Sequence, residues 1–423
     1  MTEQSLRVIE ICAGAGGQAL GLEKAGFEHE LAIELDENAV NTLRHNRPGW
    51  KVAQGDVADL NVWNPADYAP GPDRRPIDLL AGGVPCPPFT IAGKQLGATD
   101  ERDLFAWAVE QVKVVQPRAL LLENVRGLSM PRFAGYRQHV LDRLREFGYA
   151  AEWRLLQASN YGVPQLRPRF VLVAMAPDDF AHFHWPEPVG QPPTVGETLL
   201  PLISINGWKG AEEWAEKAND IAPTVVGGSK KHGGADLGPT RAKRAWAEMG
   251  VDALGVANGA PGPDDEFLVG PKLTCKMVAR IQGWDDEEFQ WIFTGKKTST
   301  YRQIGNAFPP PVAKALGVAI AAALNRTAER RERDLDTEHD PIYRALREAD
   351  GFMTAVQITR ATKLSLEPHE LERRISLLGR DFHIEVSNGK AATAYKLGQF
   401  KAFLGQGDHI RHDQFDIHRS RIS

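Results

Sequence analysis

The chain has 423 residues, long enough for two or three domains of ordinary size. With 42% hydrophobic and 25% charged residues it has the composition of a folded soluble protein. A net charge of −5 argues against a protein that coats nucleic acid over its whole surface, yet leaves room for one basic cleft, because local charge governs phosphate binding. Glu3 precedes any cationic cluster, and the first apolar run, Val8 to Ile11, is too short for a secretion signal. The longest apolar stretch, Val312 to Leu324, contains Lys314 and falls short of the roughly 20 residues a membrane helix needs. A cytoplasmic location is therefore expected. Three cysteines, at 12, 86 and 275, cannot form a disulfide framework, and no CxxC pair or His/Cys cluster points to a metal.

Residues 7–11 read as a buried strand, followed by the turn AGAGGQALG and a helix through Lys24. Further strands are expected at 30–35, 50–56, 77–83 and 118–125, with helices at 39–45, 103–115 and 135–147. Strands alternating with helices predict a parallel sheet covered on both faces, with ligands at the carboxyl ends of its strands. After about residue 190 the rhythm fades into Gly, Pro, Ser and Thr-rich segments, and it returns near 272. The charged run Arg326 to Asp340 reads as a linker. Beyond it, 341–400 reads as two or three helices and a hairpin turning at Asn388-Gly389, a pattern like a small winged helix.

Three strand ends carry cofactor-binding features. Gly14-Ala15-Gly16-Gly17-Gln18-Ala19 fits GxGxxA between a strand and a helix, where glycines let a ligand approach a helix N-terminus. Glu34 ends the second strand about 20 residues on, where a carboxylate can bind ribose hydroxyls. Asp56 follows Gly55 at the end of the third. The fourth strand runs into Val-Pro-Cys-Pro-Pro-Phe-Thr (84–90), which presents Cys86 between prolines at the same edge. Glu123-Asn124-Val125 ends the fifth strand, and Gln165-Leu166-Arg167-Pro168-Arg169 sets two guanidiniums on an extended segment.

In this order AGAGG, GGVPCPPF, ENV, QLRPR, LTCKMVARIQGW (273–284) and QIGNAFPPPVA (303–313) resemble the C5 cytosine methyltransferase family over about residues 6–325. The glycine turn alone fits a dinucleotide as well as S-adenosylmethionine; the resemblance decides for the latter. It implies a Rossmann-like α/β methyltransferase domain (1–190 plus 272–325), a smaller irregular target-recognition domain (191–271), a linker (326–340) and a winged-helix-like C-terminal module (341–423). Cys86 would add to C6 of a flipped-out cytosine, since only a thiol is soft and acidic enough to add and later leave. Glu123 would partner N3, Arg169 would contact O2, and Arg167 would support the site or a phosphate. Ala13, Gly14, Ala15, Gly16, Gly17, Glu34, Leu35, Asp56, Val57, Pro85 and Asn306 would hold S-adenosylmethionine, released as S-adenosylhomocysteine. The stretch Thr90 to Phe105 would close over the DNA.

The sequence departs from the family's pattern in places. Glu10-Ile11-Cys12 replaces the usual Asp-Leu-Phe, so Cys12 cannot stack on adenine and reads as structural, with Leu35 completing the pocket. Lys276-Met277 replaces an Arg-Glu pair, Thr90 a common Ser, and Cys275 reads as a buried thiol. In the recognition gap, Lys230, Lys231, Arg241, Lys243 and Arg244 against one acid, Asp236, are expected to contact DNA. The implied protein is a monomer that acts on double-stranded DNA, away from membranes, and protects it from a cognate restriction endonuclease without stably binding that enzyme. Two alternatives stay open on sequence: C5 methylation of tRNA, and a DNA-binding regulator that has lost catalysis.

Overall fold

A computed structural model of the chain describes residues 5–84, 102–227, 235–331, 339–349, 351–388 and 392–400. Its centre is a seven-stranded sheet. In chain order the elements are β1 (Leu6–Ile11), α1 (Gly17–Lys24), β2 (Phe27–Glu34), α2 (Glu37–Asn46), β3 (Val52–Gln54), β4 (Leu79–Gly83), α3 (Arg102–Val115), β5 (Ala119–Val125), α4 (Ala134–Glu146), β6 (Ala150–Gln157) and β7 (Pro168–Met175). The strand order is β3-β2-β1-β4-β5-β7-β6. The first five strands pair in parallel, as expected from strands that read as continuous apolar runs. The expectation of a wholly parallel sheet fails at one edge: β7 runs antiparallel to both β5 and β6. No helix crosses over between β6 and β7. The chain turns back directly, and a direct return makes antiparallel neighbours.

Apolar clusters cover both faces of the sheet. One packs Ile9, Ile33, Leu80 and Leu122 against Phe105, Val112 and Tyr136 of α3 and α4. The other packs Val8, Leu79, Leu121 and Val173 against Leu22 of α1 and Leu316 and Ile320 of a later helix. Between the two ends of the methylase-like motifs lie α5 (Pro177–Phe180), α6 (Val195–Ile203), α7 (Ala211–Lys217), α8 (Thr240–Glu248), α9 (Cys275–Ile281), α10 (Lys297–Asn306) and α11 (Pro310–Leu324). A third cluster joins Leu199, Trp214, Trp246, Leu273, Val278, Trp291 and Ile304 to Ala13, Leu20 and Leu43. The irregular region therefore shares a core with the start of the sheet. The stretch Lys297–Leu324 is long and apolar enough to cross a bilayer, but it breaks at Ala307–Pro309 into α10 and α11 and is mostly buried in the protein.

Residues 326–331, at the start of the expected linker, are pinned to the sheet domain. The guanidinium of Arg326 donates to Asp179, and Arg331 pairs with Glu152. The C-terminal part comprises α12 (Pro341–Glu348), β8 (Met353–Thr354), α13 (Ala355–Thr362), α14 (Pro368–Asp381), β9 (Phe382–Asn388) and β10 (Thr393–Phe400). Its antiparallel sheet has the order β8-β10-β9. Helix, strand, two helices and a two-stranded wing make a winged-helix arrangement around Ile342, Ile358, Leu371, Ile375 and Phe382. The expected turn at Asn388-Gly389 enters residues outside those described. The module rests on α4, where Leu378 comes so near Gly135 that a Cβ there would stand 2.3 Å from its Cδ2.

Candidate active site

The turn after β1 uses glycine where a side chain would be strained or would clash. Gly14 (φ 56°) and Gly16 (φ 94°) take left-handed backbone that glycine adopts without strain. A Cβ on Gly16 would lie 2.6 Å from the Trp291 ring, and one on Gly17 would lie 2.2 Å from the Phe308 carbonyl oxygen. Beside Gly14 there is open space. Trp291 clamps the turn from outside, its Nε1 donating to the Ala15 carbonyl at 2.8 Å. Cys12 is itself left-handed (φ 51°), half-buried and packed on the sheet core. Ala13 and Ala15 are buried.

Glu34 ties this turn to the end of β2. One carboxylate oxygen accepts from Gly14 N at 2.7 Å and the other from Asp36 N at 2.8 Å. Burial pushes its carboxyl above the ordinary range, and these backbone donors pull against that rise. Leu35, next along, is 43% exposed and so available to a ligand. Asp56 follows Gly55 at the end of β3 and accepts from Ala58 N. Val57 is buried among core side chains, and Trp63 Nε1 donates to its carbonyl. Asn306 ends α10, exposed, with its amide against Gly227, where a Cβ would stand 2.1 Å from Oδ1.

Pro85 and Cys86, the segment Thr90 to Glu101, and Lys230 and Lys231 lie outside the described residues. Their approach is described. β4 ends at Gly83, whose register partner is Glu123. Val84 is buried, and Nδ2 of the buried Asn124 donates to its carbonyl at 3.2 Å. Asn124 thus fixes the backbone two residues before Cys86, a role its place in Glu-Asn-Val did not reveal.

Glu123 and Arg169 meet across β5 and β7, where Val125 pairs with Arg169. Arg169 Nε lies 2.5 Å from Glu123 Oε1, with both side chains about nine-tenths buried. Burial pushes the Glu123 carboxyl above the usual carboxylate range, and Arg169 and then Arg167 pull it back. Burial also lowers Arg169, and Glu123 opposes that. A raised carboxyl held against a guanidinium is placed to hold or pass on a proton.

Arg167, 1% exposed, turns the other way. Its guanidinium donates to the carbonyls of Val225 (2.5 Å), Gly305 (2.7 Å) and Ala307 (3.0 Å). Gln165 accepts from Val225 N and donates to Gln282, and Gln282 donates to Ile304 and Ala307. The two arginines of one motif therefore do different work, one at the carboxylate and one as a backbone clamp. Gln282 was not picked out from sequence, because its partners lie far away in the chain.

Among the cations of the recognition gap, Arg241 and Arg244 stand exposed on α8. Lys243 is half-buried and pairs with Asp236 at 2.7 Å, so part of its charge is already answered. Cys275 is only half-buried, not the buried thiol expected: it opens α9 and its thiol approaches the Lys297 carbonyl. Burial nevertheless raises that thiol above its ordinary value.

Residues 6–322 match the C-5 cytosine-specific DNA methylase family. The chain is 67% identical over 420 residues to the type II methyltransferase M.NaeI of Lentzea aerocolonigenes, covering 99% of this chain and 100% of that one. It is 50% identical over 322 residues to M.NgoMIV of Neisseria gonorrhoeae, covering 75% of this chain and 98% of that one. Among solved structures, one assigned as a prophage-encoded DNA modification methyltransferase of E. coli aligns with a TM-score of 0.52 at 23% identity, over 76% of this chain and all of its own. That likeness supports the methyltransferase fold, and the family match with its close relatives places the chain in the C-5 cytosine-specific DNA methylase family, as a DNA cytosine-5 methyltransferase.

Proposed function

We propose that the chain methylates C5 of a flipped-out cytosine in a specific duplex sequence through a covalent adduct at Cys86. The observation that carries this reading is the buried Glu123–Arg169 pair one strand from the exit that leads to Cys86. The Cys86 thiolate adds to C6, and electron density moves toward C5 and N3. Glu123 supplies the proton at N3, which its raised carboxyl favours, and Arg169 faces the O2 side. After methylation a water molecule takes the C5 proton as the C6–sulfur bond breaks, which frees the Cys86 thiolate, and N3 returns its proton to Glu123.

The residues present fit an adenosyl amino acid as donor. Gly14 borders open space, and each Glu34 oxygen, though bonded to the backbone, keeps a lone pair for a ribose hydroxyl. Bound S-adenosylmethionine supplies an electrophilic sulfonium methyl. Gly14, Gly16, Glu34, Leu35, Asp56 and Asn306 would line its site, with Ala13, Ala15, Gly17 and Val57 shaping the walls and Pro85 closing it.

Residues 1–190 with 272–325 would form the catalytic unit, 191–271 the recognition unit, 326–340 the link, and 341–423 an accessory module. M.NgoMIV matches nearly its whole length with three quarters of this chain, so catalysis in the family does not require so long a chain. Arg241 and Arg244 are the described cations best placed to meet phosphate, with Lys243 steadying their helix. By likeness to type II methyltransferases, the biological role would be protection of cytoplasmic DNA from a partner restriction enzyme, by a monomer.

The test is covalent trapping. Duplexes carrying 5-fluorocytosine in place of cytosine should give a denaturation-resistant complex with the wild type and none with Cys86→Ser. Bisulfite sequencing of methylated DNA should show protected cytosines in one sequence context. A complex that survives Cys86→Ser, or methyl transfer to tRNA without protected DNA cytosines, refutes the proposal.

A further inference from the structure

Gln18, the second residue of α1, is 3% exposed, and both atoms of its amide, Nε2 and Oε1, have no hydrogen-bond partner among the described residues. Buried polar groups are nearly always paired, because an unpaired one forfeits its hydration. An amide that stays unpaired inside a cofactor-type turn is built for something that arrives.

The surroundings say where it points. Oε1 lies 3.8 Å from the place a Cβ on Gly83 would occupy, and Glu123 Oε2 lies 3.4 Å from the same place. The two groups flank one bare glycine, the last residue of β4. On the other side, Gly17 sits against Phe308 and Ala307, next to Asn306. Gln18 therefore stands between the glycine turn and the carboxylate expected to meet the base. That is where the reacting end of the donor must lie for a methyl group to reach the base.

Two occupants could face this amide. With N3 taken by Glu123 and O2 facing Arg169 as proposed above, a cytosine keeps only its exocyclic amine for this amide, which would satisfy Oε1 and leave both hydrogens of Nε2 unpaired. An α-amino acid terminus offers a carboxylate to Nε2 and an ammonium to Oε1, so it satisfies both atoms at once. The N-terminus of α1 further favours a carboxylate beside it. We infer that Gln18 binds the amino-acid end of S-adenosylmethionine, its amide donating to the carboxylate and accepting from the ammonium. This inference rests on the donor reading proposed above.

Calorimetric titration of the full-length protein separates the two. The ligands are S-adenosylhomocysteine and 5′-methylthioadenosine, which lacks the amino-acid end. Gln18→Leu should weaken S-adenosylhomocysteine at least tenfold and leave methylthioadenosine within twofold. The ligand-free variant should also melt at or above the wild-type temperature, since it no longer buries an unpaired amide. Gln18→Glu, which keeps the shape but sets a negative charge against the carboxylate, should weaken S-adenosylhomocysteine further still. Equal losses for both ligands, or no loss for either, overturn the inference while leaving the donor reading intact. A wild-type protein that binds neither ligand removes the donor reading and this inference with it.

Discussion

Arg167→Met should cost about 3 kcal/mol of stability without touching the Glu123–Arg169 pair. The wild-type guanidinium holds three carbonyls. After substitution the Ala307 carbonyl keeps Gln282 as a donor, while those of Val225 and Gly305 lose the arginine. Each orphaned buried group costs about 1–3 kcal/mol, or roughly 2–6 for two. Removing a buried guanidinium relieves a desolvation penalty, which burial makes large here, so the net falls toward the lower half. In thermal unfolding, about 3 kcal/mol corresponds to a drop of about 5 °C, scaling down from the roughly 2–4 °C per kcal/mol of smaller domains. Arg167→Lys should be worse than Met: the ammonium stays buried as a charge but cannot fork to carbonyls on separate segments. Urea and thermal unfolding of the three proteins provide the assay. A Met variant within about 1 kcal/mol of wild type, or a Lys variant more stable than Met, would refute the clamp.

The glycine turn gives a prediction of opposite splits. Gly16→Ala meets Trp291 and Leu43 and sits at φ 94°, so it should lose about 3 kcal/mol and ligand binding together; Gly14→Ala meets nothing, so it should lose only about 1 kcal/mol yet obstruct the donor. Melting temperature beside S-adenosylhomocysteine titration checks this, and a Gly14 variant less stable than the Gly16 one would contradict it. The docking of the C-terminal module should depend on pH through His139. Tyr343 Oη accepts from Arg347 at 2.9 Å and lies 3.0 Å from Nδ1 of His139. Burial, then Arg347 and Arg143, pull that imidazole down to about 3. A pKa depressed in the folded state means the stability is present above the unfolded value near 6.5 and is lost as pH falls toward 3; at pH 5 the loss is about 2 kcal/mol. Hydrogen exchange across α12 should show protection falling between pH 7 and 5 in wild type and staying flat in His139→Gln; equal pH dependence in both would exclude His139 as the cause.

The parallel half of the sheet was legible because each strand is a short apolar run that ends in chemistry: glycine turn, Glu34, Asp56, Glu123. The antiparallel edge was not. AAEWRLLQ in β6 alternates only from Ala151 to Leu155 before a second leucine breaks the period, and Pro168 opens β7 inside the motif that drew attention for its arginines. The resemblance set Arg169 at O2 and Arg167 in support of the site or at a phosphate, but the spacing could not show that Arg167 clamps backbone carbonyls instead. Arg167 precedes the strand and Arg169 lies within it, so their side chains diverge. Lys243 read as one of five like charges, because sequence cannot show that its amine folds back onto Asp236.

What escaped the sequence also explains how the site holds together. The turn that would seat the donor and the segment that leads into the recognition region share a boundary made of polar groups: Gln165, Arg167 and Gln282, all fully or nearly fully buried. Apolar surfaces at such a junction could slide by a residue at little cost. Hydrogen bonds from fixed side chains to the named carbonyls of 225, 304, 305 and 307 cannot. The glycine contact beside them is as exacting, since a Cβ on Gly305 would stand 2.5 Å from Gly227 Cα. Residue 227 enters the stretch that carries the cations proposed to meet DNA, and residue 308 abuts Gly17 of the turn. One buried polar junction thus sets the distance between where DNA would be read and where the methyl group would wait, which is why loosening Arg167 should disturb both ends of the site at once.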